Sequence, residues 1–179
     1  EKAALVGAFL LVSSPLIALE IYVRGNLAEL WFLALFPVVL TLIKKLSIRF
    51  TRTLFFSLAL IFSLLLTSHN ALSIVGAMLV GIFAWMHQKR IQICASLLLV
   101  LLCASYFLIP AFAELNLTHA TGIAASTYYQ DHFVCIRQLW TSQWGYGGSV
   151  PGCVDGMSFM LGKILLVTAF IGGLHWLWS

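Results

Sequence analysis

"IQICASLLLVLLCASYFLIPAFA", residues 91–113, contains no charged side chain. A continuous helix of this length rises about 35 Å at 1.5 Å per residue, which exceeds the roughly 30 Å hydrocarbon core of a bilayer. The stretch therefore predicts a membrane-spanning helix.

The composition of the whole chain agrees with that prediction. Hydrophobic residues make up 61% of the 179 residues, charged residues make up 9%, and the mean hydropathy is +1.01. One soluble core cannot bury this much apolar surface, so we expect an all-α integral membrane protein with about six transmembrane helices and one long extracytoplasmic loop. The predicted spans are 3–22, 28–44, 53–68, 71–87, 91–113 and 160–178.

Basic residues between the spans predict the orientation. Loops rich in Lys and Arg stay on the cytoplasmic side. The third and fourth spans are short, so we expect either two full crossings or a tilted or re-entrant hairpin in their place, and each arrangement returns the chain to the side it left. Both termini are then cytoplasmic, in a multi-pass protein of the plasma (inner) membrane that has no nucleic-acid partner. The basic residues are Lys44, Lys45, Arg49 and Arg52 in one loop and Lys89 and Arg90 in the other.

The same orientation divides the chain into three segments. Residues 1–113 are expected to form a bundle of five spans, 114–159 an extracytoplasmic loop, and 160–179 a final transmembrane helix. The chain begins with Glu1 and its first apolar run lacks a signal-peptide cleavage site, so we expect a piece of a longer protein.

The cysteines fit the predicted loop. Cys135 and Cys153 lie in the extracytoplasmic segment, where an oxidising compartment permits a disulfide. Such a bridge would lower the conformational entropy of the unfolded loop and so stabilise the folded state by roughly 3 kcal/mol. Cys94 and Cys103 lie on opposite sides of the fifth span and cannot bridge within it, so we expect them to face lipid or pack against neighbouring helices.

Two groups of polar residues lie in the other outward connections, and each has two interpretations. Glu20 and Arg24 have the i,i+4 spacing of an ion pair, which near a membrane indicates a functional site. Alternatively, Arg24 reaches lipid phosphates and Glu29 stabilises a helix start. In "SHN", residues 68–70, His69 is a candidate ligand for phosphate or sugar or a general base, or Asn70 simply caps the fourth span.

The long loop contains the least membrane-like sequence. Its aromatic residues are typical of a membrane-interface belt and also of surfaces that stack on sugar rings. Its glycines permit close approach of a ligand or of another chain segment, but their spacing matches no nucleotide-binding motif. The spacing of its His, Asp and Cys residues matches no zinc site, so we expect no metal. The aromatic residues are Tyr128, Tyr129, Trp140, Trp144 and Tyr146.

An ordered set of motifs resembles the 6-pyruvoyl-tetrahydropterin synthase-related membrane proteins, a family of large bacterial and archaeal multi-spanning proteins. That family is similar in architecture to the GT-C glycosyltransferases, and the resemblance covers nearly the whole chain. One departure is Met160, where the family tends to have Gln. The motifs are "SSPLIALEIYVRGNLAELWFLALFP" (13–37), "SHN" (68–70), "IPAFAE" (109–114), "YYQDHFV" (128–134), "QLW" (138–140) and "WGYGGSVPGCVDGMSFMLGK" (144–163).

The resemblance implies transfer of a sugar from a polyprenyl-phosphate donor to an acceptor on the outer face of the membrane. Arg24, or second Arg137, would bind the departing phosphate, Glu29 would orient Arg24, and Asp155 is a weak candidate for the catalytic base. The full set of candidate substrate-binding residues is Arg24, Glu29, His69, Asn70, Tyr128, Tyr129, His132, Arg137, Trp140 and Trp144.

The resemblance also implies partners outside this chain. The family carries an acidic residue in an earlier outer loop, so a missing N-terminal half or another membrane chain would supply the base and would hold any divalent cation; no cofactor is assigned to this chain itself. A transporter is less favoured because ionisable residues are nearly absent from the middle of the spans. A non-catalytic scaffold or assembly subunit is the alternative.

Overall fold

The computed structural model describes residues 2–87, 90–119, 122 and 128–178. Within these ranges helices are the main regular structure, and the only extended pairing is an isolated antiparallel bridge between Tyr146 and Met157. Residues 1–26 and 122–179 form one compact unit, the first unit, and residues 27–121 form another, the second unit. The expected division at residues 113 and 159 refers to membrane position and stays a prediction.

Eight α-helices are described. They are α1 (Lys2–Val12), α2 (Pro15–Leu19), α3 (Leu27–Ile48), α4 (Arg52–Ser68), α5 (Asn70–Trp85), α6 (Arg90–Ala113), α7 (Ile136–Trp140) and α8 (Lys163–Trp178). A π-helical turn follows α2 at Glu20–Arg24, and single 3-10 turns lie at Leu115–Leu117 and Tyr129–His132.

Three of the described helical segments are long and apolar enough to cross a membrane. They are Ala3–Arg24, Leu27–Ile48 and Ile91–Ala113, with mean hydropathies of 2.1, 1.9 and 2.4. The apolar helices at Arg52–Ser68, Ala71–Trp85 and Lys163–His175 are shorter. These findings support the all-helical class and a membrane protein, while the number of six crossings stays a prediction.

The first of these segments is not one continuous α-helix. α1 ends at Val12, and α2 begins with Pro15 as its first residue. Proline is tolerated at that position because the N–H it lacks would have no intrahelical acceptor. The chain therefore breaks at Ser13 and Ser14, which the hydropathy pattern does not reveal.

The core of the second unit lies around α4, which packs against α3, α5 and α6. Its fully buried side chains include Val39 and Ile43 from α3, Leu58 and Leu65 from α4, and Val100 from α6. The Ser73 hydroxyl of α5 donates to the Leu65 carbonyl of α4 across 2.8 Å, so a polar bond crosses the helix contact without leaving an unpaired group.

Four residues of the predicted sites and loops fall partly or wholly outside the described structure. Lys89 is not described, and the side chains of Asn70, Arg90 and Tyr129 are not described either. The predicted roles of Lys89, Arg90 and Tyr129, and the predicted substrate contact of Asn70, are therefore untested.

Candidate functional site

The first unit contains a segment, residues 128–162, that we call the braced segment because a disulfide and a polar network hold it together. The predicted disulfide between Cys135 and Cys153 is confirmed, with 5.6 Å between the two Cα atoms. Cys135 is also the N-cap of α7, so the bridge joins the start of that helix to the chain before Asp155.

Gln138 connects the two sides of the braced segment. Its side-chain oxygen accepts a hydrogen bond from the Cys135 backbone N–H at 2.8 Å, and its amide nitrogen donates to Asp155 Oδ1 at 2.8 Å. The residue is only 4% exposed, so both bonds satisfy polar atoms that water does not reach well. Gln138 thus positions Asp155 against the beginning of α7.

Asp155 accepts three hydrogen bonds. Besides Gln138, the Ser142 hydroxyl donates to Oδ1 at 2.7 Å and the Gln143 backbone N–H donates to Oδ2 at 3.0 Å. The Ser142 hydroxyl, the Gln138 amide and the Gln143 N–H lower the pKa of Asp155, and the positive charge of Arg137 adds to their effect. A carboxylate held ionised in this way is a weak proton acceptor, so the geometry favours a structural role for Asp155 over that of a catalytic base.

The glycines of the braced segment bring two chain segments together. The Gly147 N–H donates to the Gly156 carbonyl at 2.8 Å. A Cβ atom at Gly145 would lie 2.5 Å from the Gly156 carbonyl oxygen, and a Cβ at Gly156 would lie 2.2 Å from the Gly148 carbonyl oxygen. Of the two predicted uses for these glycines, close approach of another chain segment is therefore the one that the structure shows.

Aromatic side chains project from the braced segment. The rings of Trp144 and Tyr146 lie edge to face, with 6.3 Å between centroids, and these side chains are 46% and 79% exposed. Trp140 is 46% exposed, and the Lys163 ammonium lies 5.9 Å from the centroid of its ring. Tyr128 is also exposed. The segment thus presents open aromatic faces on a backbone fixed by the disulfide and by Asp155.

His132 and Arg137 both lie on the braced segment but have different surroundings. His132 Nδ1 lies 3.1 Å from the Ser149 hydroxyl, a hydrogen bond between exposed side chains that closes the segment across 17 residues. Arg137 is exposed and borders a small cavity of about 200 Å³ whose wall includes Asp155 and Cys153. Among the described residues, no three His, Cys, Asp or Glu side chains are grouped closely enough to hold a metal ion.

Glu20 and Arg24 form the ion pair that their spacing predicts. Both lie on the π-helical turn, and Arg24 Nη1 lies 2.5 Å from Glu20 Oε1. Glu20 is 1% exposed whereas the Arg24 side chain is 35% exposed. Because a buried carboxylate is unfavourable without a partner, the pair lets Glu20 remain inside the first unit while Arg24 reaches its surface.

Glu29 and His69 form a second pair, in the second unit. His69 Nε2 lies 3.5 Å from Glu29 Oε1, and His69 Nδ1 accepts the Leu72 N–H at 3.2 Å. This corrects the predicted cap: α5 begins one residue earlier than expected, so Asn70 is its first helical residue and His69 is the N-cap. Because Nδ1 is occupied by the Leu72 N–H, Nε2 is the ring nitrogen that faces Glu29.

The structure groups some of the predicted site residues and separates others into different units. Six lie on the braced segment: Tyr128, His132, Arg137, Trp140, Trp144 and Asp155. Arg24 belongs to the first unit, whereas Glu29 and His69 belong to the second, so the predicted action of Glu29 on Arg24 stays a prediction.

Two residues of this network were missed by the sequence reasoning. The spacing of Gln138 from Cys135 is that of a capping box, and this signal was present in the sequence. Ser142 had no comparable signal, because only the fold places its hydroxyl between Asp155 and the Phe159 N–H, which donates to it at 3.0 Å.

Comparisons of the chain with protein-family models, with curated proteins and with solved structures find no match.

Proposed function

We propose that this chain is part of a membrane-embedded, GT-C-like glycosyltransferase that moves a sugar from a polyprenyl-phosphate donor to an acceptor on the outer face of the membrane. The observation that carries the proposal is the pair of exposed rings, Trp144 and Tyr146, on the braced segment. The resemblance of the ordered motifs to the 6-pyruvoyl-tetrahydropterin synthase-related membrane proteins supports it.

The aromatic rings suit a sugar because of their chemistry and their rigid support. The apolar face of a pyranose stacks on an aromatic ring, and a ring held in place beforehand loses little conformational entropy when it binds. Trp144 and Tyr146 flank Gly145, whose contact with Gly156 fixes the backbone between them. The braced segment then forms a wall of the sugar site.

The reaction also requires positive charge near the departing phosphate, and two arginine side chains can supply it. An inverting displacement at the anomeric carbon releases a lipid phosphate, and a nearby guanidinium stabilises the negative charge that develops on it. Arg24 lies at the surface of the first unit beside Glu20, which holds its side chain in one direction. Arg137 is the second candidate, because it is exposed next to the 200 Å³ cavity. The base that deprotonates the acceptor is not assigned to Asp155.

The proposed placement in the membrane follows from the basic loop between α3 and α4. That loop and both termini face the cytoplasm, the six apolar segments cross or enter the bilayer, and residues 114–159 lie outside. This places the braced segment on the side where polyprenyl-phosphate sugars are used by the enzymes that the chain resembles.

A non-catalytic scaffold or assembly subunit is the second candidate, and the state of Asp155 favours it. Asp155 is the acid of the glycine-rich block, and three hydrogen bonds commit it to holding the segment together. In that case the exposed aromatic rings contact the membrane interface or another chain instead of a sugar.

A transfer assay separates the two candidates. The purified protein, reconstituted in vesicles, is supplied with polyprenyl-phosphate sugars, and release of the lipid phosphate is measured. The glycosyltransferase proposal predicts donor-dependent release that falls strongly in Trp144→Ala and Arg24→Ala, whereas Tyr106→Ala, which removes an exposed ring from α6, leaves it unchanged. If no donor released lipid phosphate while the disulfide was intact, the result would contradict the glycosyltransferase proposal and favour the scaffold subunit.

A further inference from the structure

A cavity of about 550 Å³ lies in the first unit at the break between α1 and α2. Its wall is mostly apolar and comes from two parts of the chain. Phe9, Ser14 and Pro15 form one side, and Met160, Gly162 and Lys163 form the other. No residue proposed for the sugar site or for the phosphate released in transfer lines it.

Ser14 contributes a hydroxyl that bonds to none of the described residues. Serine at the N-cap of a helix normally accepts an N–H from the first turn. Here Ser14 is the N-cap of α2, but the Ile17 N–H donates to the Ser14 backbone carbonyl at 3.1 Å instead. The residue is 4% exposed, and its Oγ atom has no hydrogen-bond partner among the residues that the structure describes. Such an atom is rare unless a ligand or a water satisfies it.

The opposite side of the cavity is the N-terminus of α8. Lys163, Ile164 and Leu165 form its first turn and line the cavity, and the Leu166 N–H is the first to find a helical partner, the Gly162 carbonyl at 3.0 Å. The preceding N–H groups therefore have no intrahelical acceptor. The helix dipole and these donors together favour an anion.

Lys163 adds a full positive charge at the same end. Its ammonium lies near the Trp140 ring, and no acidic side chain pairs with it in the part of the chain that the structure describes. Gly162 allows this arrangement because its φ of +106° suits glycine and because a Cβ there would lie 3.0 Å from the Pro15 ring. The turn thus brings the start of α8 against the Ser14 break.

We infer that this cavity binds a membrane lipid with a phosphate headgroup. The phosphate oxygens accept hydrogen bonds from the Ser14 hydroxyl and from the first N–H groups of α8, Lys163 neutralises the charge, and the hydrocarbon chain lies against Phe9 and the other apolar residues. A lipid fits better than free phosphate because apolar side chains form most of the wall. The apolar helix α8 also starts at Lys163, so in a bilayer the ammonium lies where lipid phosphates are.

The inference goes beyond the proposed transfer, because it requires neither a sugar nor Arg24. The site would hold its lipid equally in a scaffold subunit. Failure of the transfer assay would leave it unaffected.

Binding of radiolabelled dioleoylphosphatidic acid to the purified full chain in detergent tests the inference. We expect saturable binding, at least roughly tenfold tighter than that of dioleoylglycerol, which lacks the phosphate. Inorganic phosphate in large excess should not displace the lipid. Equal binding of the two lipids would show only an apolar groove, and displacement by inorganic phosphate would show a site for the free anion; either result overturns the inference.

Substitutions then locate the site. Lys163→Gln should weaken binding about tenfold, Lys163→Arg should restore most of it, and Ser14→Ala should weaken it several-fold because one donor is lost. Lys45→Gln, which removes a lysine from the second unit, is the matched control and should bind as the wild type does. A cooperative thermal unfolding transition close to that of the wild type shows that each variant has folded. Wild-type affinity in both Lys163→Gln and Ser14→Ala would contradict the inference.

Discussion

Gln138 donates a 2.8 Å hydrogen bond to Asp155, a residue 17 positions later in the chain. The same side chain accepts from the Cys135 N–H, and Cys135 is bonded covalently to Cys153. One buried amide therefore connects the start of α7, the disulfide and the glycine-rich block. The exposed aromatic rings depend on this connection for their fixed position.

Gln138→Ala should destabilise the first unit by about 1–2 kcal/mol, because the Cys135 N–H loses its acceptor and Asp155 Oδ1 keeps only the Ser142 hydroxyl as a donor. Chemical unfolding followed by tryptophan fluorescence measures the effect. Gln143→Ala is the matched control: Gln143 binds Asp155 through its backbone N–H, and its side chain is exposed, so this change should have little effect. Equal losses in the two variants would contradict the role assigned to the Gln138 side chain.

Asp155 should make the stability of the first unit depend on acid pH. Its pKa in the folded protein lies below the ordinary 3.8, so folding favours the ionised form. The resulting stabilisation is complete above the ordinary pKa and is lost as the pH falls through the lowered value. Unfolding midpoints between about pH 6 and pH 2 should therefore drop more steeply for the wild type than for Asp155→Asn.

Ser142→Ala is the intermediate case in the same titration, since the Ser142 hydroxyl contributes most to the lowered pKa. The unfolding midpoint of this variant should drop with falling pH less steeply than that of the wild type and more steeply than that of Asp155→Asn. If the unfolding midpoints of all three proteins changed equally with pH, the hydrogen bonds would not be keeping the Asp155 carboxylate ionised.

Gly156→Ala should disrupt the braced segment, because the added Cβ would lie 2.2 Å from the Gly148 carbonyl oxygen and neither backbone can move freely. Overpacking of this kind costs about 1–3 kcal/mol or more. Gly148→Ala provides the control, since a Cβ there meets nothing within 4 Å. Limited proteolysis of the two variants should cut only Gly156→Ala faster than the wild type.

The cysteines test both the disulfide and the proposed orientation. In a Cys94→Ser, Cys103→Ser background, a membrane-impermeant maleimide added outside intact cells should label the protein only after reduction, when Cys135 and Cys153 become free thiols. Reduction should also destabilise the first unit by roughly 3 kcal/mol, the loop-closure entropy of a bridge of this span. Labelling solely from the cytoplasmic side would reverse the orientation.

His69 should stabilise α5 as the N-cap residue of that helix. His69→Ala removes the acceptor of the Leu72 N–H and should destabilise the second unit by about 1 kcal/mol, whereas Asn, a preferred N-cap residue, should retain most of that stability. Thermal unfolding of His69→Ala and His69→Asn distinguishes these outcomes. If His69 also serves transfer through Nε2, His69→Asn should lose transfer activity while retaining most of the stability of the wild type.

Local patterns in the sequence were enough to predict several features. The run at 91–113 is a single long apolar helix because it contains no charged residue and its one proline, Pro110, lies in the last turn. Glu20 and Arg24 pair because a separation of four positions places their side chains on one face of a helical turn. Cys135 and Cys153 bond, as expected for two thiols in one oxidised loop. Each of these relations is short in sequence or depends only on composition.

Other features were decided by the tertiary structure. Gly156 packs against Gly148, the Ser142 hydroxyl donates to Asp155, and the Ser14 hydroxyl, beside the start of α8, has no partner in the described part of the chain. None of these follows from residue type, because each depends on how distant segments approach one another after the chain has turned. The sequence by itself determined the apolar helices and the covalent bridge, whereas folding decided which polar atoms meet, since hydrogen bonds require positions accurate to a few tenths of an ångström.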